Sequence, residues 1–163
     1  MATATRNRFR EAVTGVEIAY PGHWYVQQKA LPDYVYPQQI LAASNYPIDM
    51  PPSRRDVWDP DANEENYPRV RNMAPDGIFL WLYAFTPPDG PTKYGPFRRP
   101  LDYGRAEQST APGDARWPNA VQRELGFVTG RHVFTLWVWE GLARSETALG
   151  EAREIVASLD VRP

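Results

Sequence analysis

The side chains best suited to recognition chemistry lie in one short run, Lys93 to Arg105, where Tyr94, Phe97 and Tyr103 interleave with Lys93, Arg98, Arg99 and Arg105. Four bases less Asp102 leave the run at +3. Aromatic faces beside guanidinium groups can stack single-stranded bases while the cations hold phosphates. The same residue types anchor protein interfaces, where Tyr and Arg are enriched at the points that carry the binding energy. A third use is internal: the run folds down on a sheet and its rings close the edge of the core. The formal net charge of −2 gives no general attraction to a polyanion and weighs against nucleic acid.

Other chemistry is sparser. The chain has two histidines, His23 after the turn pair Pro21-Gly22 and His132 at the start of an apolar run. Two imidazoles without an H-E-x-x-H helix do not make a multi-histidine metal site. Zero cysteines exclude a disulfide framework, a thiolate metal site and a cysteine nucleophile. Asp59-Pro60-Asp61-Ala62-Asn63 begins like a calcium loop, with oxygen ligands at alternate positions. Glu64 then stands where the sharp turn needs Gly, and Val70 where the bidentate Glu belongs. Asx-turn roles explain the same letters, and a low-affinity calcium site of another kind stays open. Glu64 and Glu65 could act as acid and base, but adjacent acids in a charged loop are usually solvated. Neither G-x-x-x-x-G-K-[ST] nor G-x-G-x-x-G occurs, which weighs against nucleotide chemistry, and no cofactor is expected.

The elements that must carry these residues follow from periodicity. Val16, Ile18 and Tyr20 alternate with Glu17 and Ala19, as in a half-buried strand stopped by Pro21-Gly22. A short strand over His23 to Gln28 places Trp24 and Val26 on one face, and Gln38 to Ser44 reads as another. Ile78 to Phe85 is continuously apolar, as in a central strand covered on both sides. Arg123–Val128 and His132–Glu140 flank Thr129-Gly130-Arg131 and form a hairpin. Ala148, Ala152, Ile155, Val156 and Leu159 follow helical spacing, which predicts a helix over about Ser145 to Ser158, with Ser145 as its cap. Residues 1–12 read as a flexible basic arm, leaving 13–163 as one domain.

A strand ending in Tyr20-Pro21-Gly22-His23-Trp24, several strands, and a closing helix through Ile155-Val156-Ala157-Ser158-Leu159 resemble the PsbP-like group. The resemblance rests on about 40 residues at the two ends. It implies an antiparallel sheet flanked by helices that serves docking or assembly rather than catalysis, and it carries over no functional residue. The chain departs from the group in two long proline-rich segments. Sixteen of the 17 prolines lie between Pro21 and Pro118.

The fold expected is therefore α+β: a twisted antiparallel sheet, a C-terminal helix packed on one face, and two long proline-rich loops. With 42% apolar residues and six Trp, a real core is available. It should contain Ile18, Ile78, Leu80, Leu82, Phe134, Leu136, Val138, Ile155 and Leu159. Residues 51–76 hold five Pro and ten charged residues, and residues 86–119 hold seven Pro and four Gly. Loops of this length are commonly functional or self-packed. The expected function is a non-enzymatic protein-binding or assembly module, with Tyr94, Phe97, Arg98, Arg99, Tyr103 and Arg105 as partner contacts. Residues 49–66 balance at −4, six acids against Arg54 and Arg55, so the two loops could also pair between copies. The rival reading is a small-molecule carrier or enzyme, with Trp24, Tyr83, Trp137 and Trp139 lining a pocket and His23 or His132 moving a proton. The longest apolar run is too short to span a bilayer, and the first residues lack the apolar stretch of a secretory signal, so a cytoplasmic protein is expected.

Overall fold

The computed structural model describes residues 5–28, 38–48, 70, 73–87 and 90–162. Among them are nine strands, β1 (Arg6–Arg10), β2 (Val16–Pro21), β3 (Tyr25–Gln28), β4 (Gln38–Ser44), β5 (Ile78–Phe85), β6 (Glu107–Gln108), β7 (Ala120–Val128), β8 (Val133–Gly141) and β9 (Asp160–Val161). One helix, α1 (Glu146–Ser158), precedes the last strand. All strand pairs are antiparallel, in a three-stranded sheet ordered β1-β2-β9 and a six-stranded sheet ordered β3-β4-β5-β8-β7-β6. The fold is α+β and dominated by its sheets.

Alternation along β5 and β8 divides the larger sheet into two faces. Ile78, Leu80, Leu82, Phe134, Leu136 and Val138 join Ile18, Ile155 and Leu159 in one buried cluster, so all nine expected core residues are buried together. Phe79, Trp81, Tyr83 and Trp139 form a second cluster on the opposite face with Trp117, Val70 and Met73. The helix belongs to the first cluster. Ser145 Oγ accepts from Ala148 N at 3.1 Å, Glu146 stands in the first turn, and Leu149, Ala152, Ile155 and Val156 repeat at helical spacing toward the sheet. Burying each of the large apolar side chains contributes about 1.5–3 kcal/mol relative to exposure. Where β9 stops pairing, Ser158 Oγ takes over the edge of β2, accepting from Ala19 N at 2.9 Å and donating to Ala19 O at 3.0 Å.

The expected basic arm needs correction. Arg6–Arg10 is a strand, paired with β2 from Arg6↔Pro21 to Arg10↔Glu17. Its run RNRFR contains a single apolar residue, Phe9, and that residue is buried. The turn after it is fixed by Glu11, whose carboxylate accepts from Val13 N at 2.9 Å and from Thr14 N at 2.6 Å. Gly15 follows with φ +73°, and a Cβ there would stand 1.6 Å from the Arg162 carbonyl oxygen. Residues 1–4, the acidic 49–66 segment and the Asp59–Asn63 motif lie outside the described residues, and the 51–76 loop is described only at Val70 and from Met73 onward.

Candidate binding site

Between β5 and β6 the chain wraps around the outer edge of β7. It begins on the face away from α1, where the Tyr94 hydroxyl donates to Glu124 Oε1. The Tyr94 ring lies over Gly126, whose missing Cβ would otherwise be 2.1 Å from ring carbon. The chain then crosses the edge of the sheet. Val128 N donates to Gly95 O and Phe97 N donates to Val128 O, both at 2.9 Å. On the α1 side, Phe97 packs on Phe127 with ring centroids 4.8 Å apart. A 3-10 turn, Tyr103–Arg105, follows; Asp102 Oδ1 caps it by accepting from Gly104 N at 2.9 Å. The buried Tyr103 hydroxyl donates to Glu140 Oε1. The segment returns as β6 against β7, with Ser109 N donating to Gln122 O at 2.8 Å.

Two tyrosine–glutamate clasps thus hold this arm, one on each face. On the outer face Glu124 also takes Lys93 Nζ at 2.7 Å and a bond from Trp137 Nε1 at 3.0 Å. Burial pushes the Glu124 carboxyl upward, but hydrogen bonds from Lys93, Tyr94 and Trp137 outweigh it and hold the group below its ordinary value. Burial, then the bond to Glu124, raises the Tyr94 phenol. The same Glu124 bond raises the Lys93 ammonium against the opposing effect of desolvation. On the inner face Glu140 is 1% exposed. Its Oε1 accepts from Arg123 Nε at 2.9 Å, and Arg144 Nη2 lies 2.8 Å from Oε2 without the alignment of a hydrogen bond. Burial and the Glu140 acceptor push the Tyr103 phenol far up.

The residues singled out in the sequence therefore separate into groups. Tyr94, Phe97 and Tyr103 turn inward, and Arg99 pairs with Asp160 at 2.8 Å. Arg98 and Arg105 are exposed, have no ion pair among the described residues, and border a cleft of about 440 Å³ that also reaches Lys93 and Glu107. Tyr83, Trp137 and Trp139 are brought together, Tyr83–Trp137 at 5.3 Å and Trp137–Trp139 at 6.2 Å, as rings in mutual contact. Trp24 and His23 are elsewhere: Trp24 Nε1 donates to Glu151 Oε2 at 2.8 Å, and His23 Nε2 is 3.1 Å from the same oxygen. His132 sits 5.8 Å from Phe134 on the other face, and burial lowers its pKa. No described residues bring either imidazole to the indoles of β8.

Glu124, Glu140, Arg123 and Arg144 were not singled out from sequence. A signal was present for two of them: Glu140 continues the inward series Phe134, Leu136 and Val138, Arg123 shares a face with Leu125 and Phe127, and a charge on a buried face requires partners.

No protein-family model, curated protein or solved structure matches the chain. Among the described residues no group of His, Asp or Glu is arranged to hold a metal ion, and no helix is long and apolar enough to cross a membrane.

Proposed function

We propose that this chain is a non-enzymatic binding module that docks an acidic protein surface on its wrapped arm. The observation that carries the reading is the division of labour within residues 93–105: the aromatic rings fix the arm to both faces of the sheet, while Arg98 and Arg105 remain exposed beside a cleft, with no ion pair among the described residues. An arm fixed in advance loses little freedom on binding, which favours affinity. Exposed guanidiniums steer an acidic partner and hydrogen-bond its carboxylates in pairs. Both tyrosine hydroxyls are pushed upward by burial, which suits structural donors rather than proton shuttles near neutral pH. The acidic 49–66 stretch of a second copy is one surface of the required chemistry.

The double variant Arg98→Ala/Arg105→Ala tests the reading. Neither side chain supports the fold, so its stability should stay within about 0.5 kcal/mol of wild type. Affinity capture followed by mass spectrometry should retain a polypeptide on wild type that the variant loses, and light scattering should show whether that polypeptide is the chain itself. Identical capture by both proteins, together with a monomeric mass independent of salt and concentration, would end the proposal.

A further inference from the structure

The inner clasp forms the floor of a second cleft, of about 610 Å³, on the α1 side of the arm. One wall is the 100–106 turn. The other is a stripe of α1, Leu149, Arg153 and Ala157, spaced by four so that all three share a face. Arg123, Glu140 and Arg144 line the bottom.

The charges there do not cancel. Arg123 and Arg144 share one carboxylate, Arg153 adds a third cation with no ion pair among the described residues, and Asp102 stands opposite, leaving three positive groups against two negative. Donors are in excess as well. Each guanidinium carries five N–H groups, yet those on the floor meet only Glu140 and the Gly141 carbonyl among the described residues. Glu140 holds both forks in place but cannot satisfy them. Beside them, Leu101, Ala106 and Leu149 supply apolar wall. Paired forks match the geometry of a carboxylate or phosphate, and a volume of this size suits a small organic ligand. Gly104 N is already taken by Asp102, so the turn offers the ligand no amide cradle from that residue.

We propose that this cleft binds a small amphiphilic oxyanion, its carboxylate or phosphate held by Arg123, Arg144 and Arg153 and its apolar body laid along Leu101 and Leu149. The cleft shares Pro100, Leu101 and Asp102 with the one bordered by Arg98 and Arg105 but has different cations, and the proposal does not depend on that reading.

Titration calorimetry with octanoate, octyl phosphate and octylammonium, on wild type, Arg153→Gln and Ala157→Trp, tests it. Arg153 and Ala157 are exposed on α1, so both variants should keep the wild-type melting temperature. Wild type should bind at least one of the two anions with a salt-sensitive affinity, and comparing the two assigns the headgroup. Arg153→Gln should weaken binding by about tenfold, the loss of one charge-assisted contact. Ala157→Trp should abolish it, and octylammonium should not bind. The proposal is overturned if neither anion binds folded wild type at millimolar concentration, if octylammonium binds equally well, or if both variants bind as wild type does. Partner capture through Arg98 and Arg105 should be unchanged in Ala157→Trp, so the two readings fail separately.

Discussion

Tyr94 and Tyr103 make the same hydrogen bond, phenol to glutamate, on opposite faces of one sheet, but the two clasps are differently built. Around Glu124 one carboxylate meets one ammonium, a phenol and an indole N–H, and its 19% exposed side chain keeps some contact with water. Around Glu140 one carboxylate, 1% exposed, meets two guanidiniums whose side chains are 24% and 29% exposed. The first arrangement sets one ammonium between two carboxylates, Glu124 and, at 3.5 Å, Glu107, so it holds no excess of positive charge. The second buries an acid beside an excess of positive charge, which a network built only for stability would avoid, since desolvation consumes most of the Coulombic gain. The outer clasp lines a cleft too, the one bordered by Arg98 and Arg105, but its one ammonium is shared by two carboxylates. The inner clasp fixes the arm and also presents cations to a cleft.

The comparison can be broken most easily at its acids. Glu140→Leu leaves the buried Tyr103 phenol and the partly buried Arg123 guanidinium without their acceptor and Arg144 without its counter-ion, so a loss of about 3–5 kcal/mol in urea unfolding is expected. Glu124→Leu removes the acceptor of partly solvated donors and should cost about 1–3 kcal/mol. A larger loss at Glu124 than at Glu140 would reverse the ranking and with it the argument that burial separates the two. Gly126→Ala attacks the outer clasp without touching a charge. The added methyl must displace the Tyr94 ring, at about 1–3 kcal/mol for overpacking, and proteolysis at Lys93 should quicken as the arm lifts. An unchanged cleavage rate would mean that Tyr94 does not hold the arm.

Periodicity revealed the parts of the fold whose signal is local. Ile78–Phe85 reads as central because both of its faces are apolar, and Ser145 with the Ala148, Ala152, Ile155 series marks a capped helix. β1 escaped because only Phe9 interrupts its polar letters, and its pairing with β2 supplies what its own residues do not. β6 and β9 have two residues each, too few for a period. The candidate sites were less legible for a related reason. Tyr94, Phe97 and Tyr103 were visible as residue types, yet the direction of each ring is decided by the wrap around β7. The Tyr103–Glu140 bond spans 37 positions, and nothing in a local run announces it. Arg123 shares a face with Leu125 and Phe127 by the period of two, yet that placement names no partner. Only the fold shows that it faces Glu140.

The smallest effect separates the outer clasp from its surroundings by pH. The folded-state pKa of Glu124 lies below its ordinary 4.5, so between these values the unfolded chain binds more protons than the folded one. Its contribution is therefore complete above about pH 4.5 and is lost as the pH falls through the lower folded value. His132 also titrates lower when folded, because burial, with Arg131, outweighs the pull of Glu11. Its neutral form favours folding, so that contribution is present above about pH 6.5 and declines below it. Stability measured by urea unfolding from pH 7 to 3.5 should thus decline in two windows. His132→Asn should flatten the upper one alone, and Glu124→Gln should reduce the slope of the lower one alone. If Glu124→Gln kept the wild-type slope below pH 4.5, the donors around that carboxylate would not be stabilising its charge, and the outer clasp would owe its hold on the arm to the packing of Tyr94 over Gly126 instead.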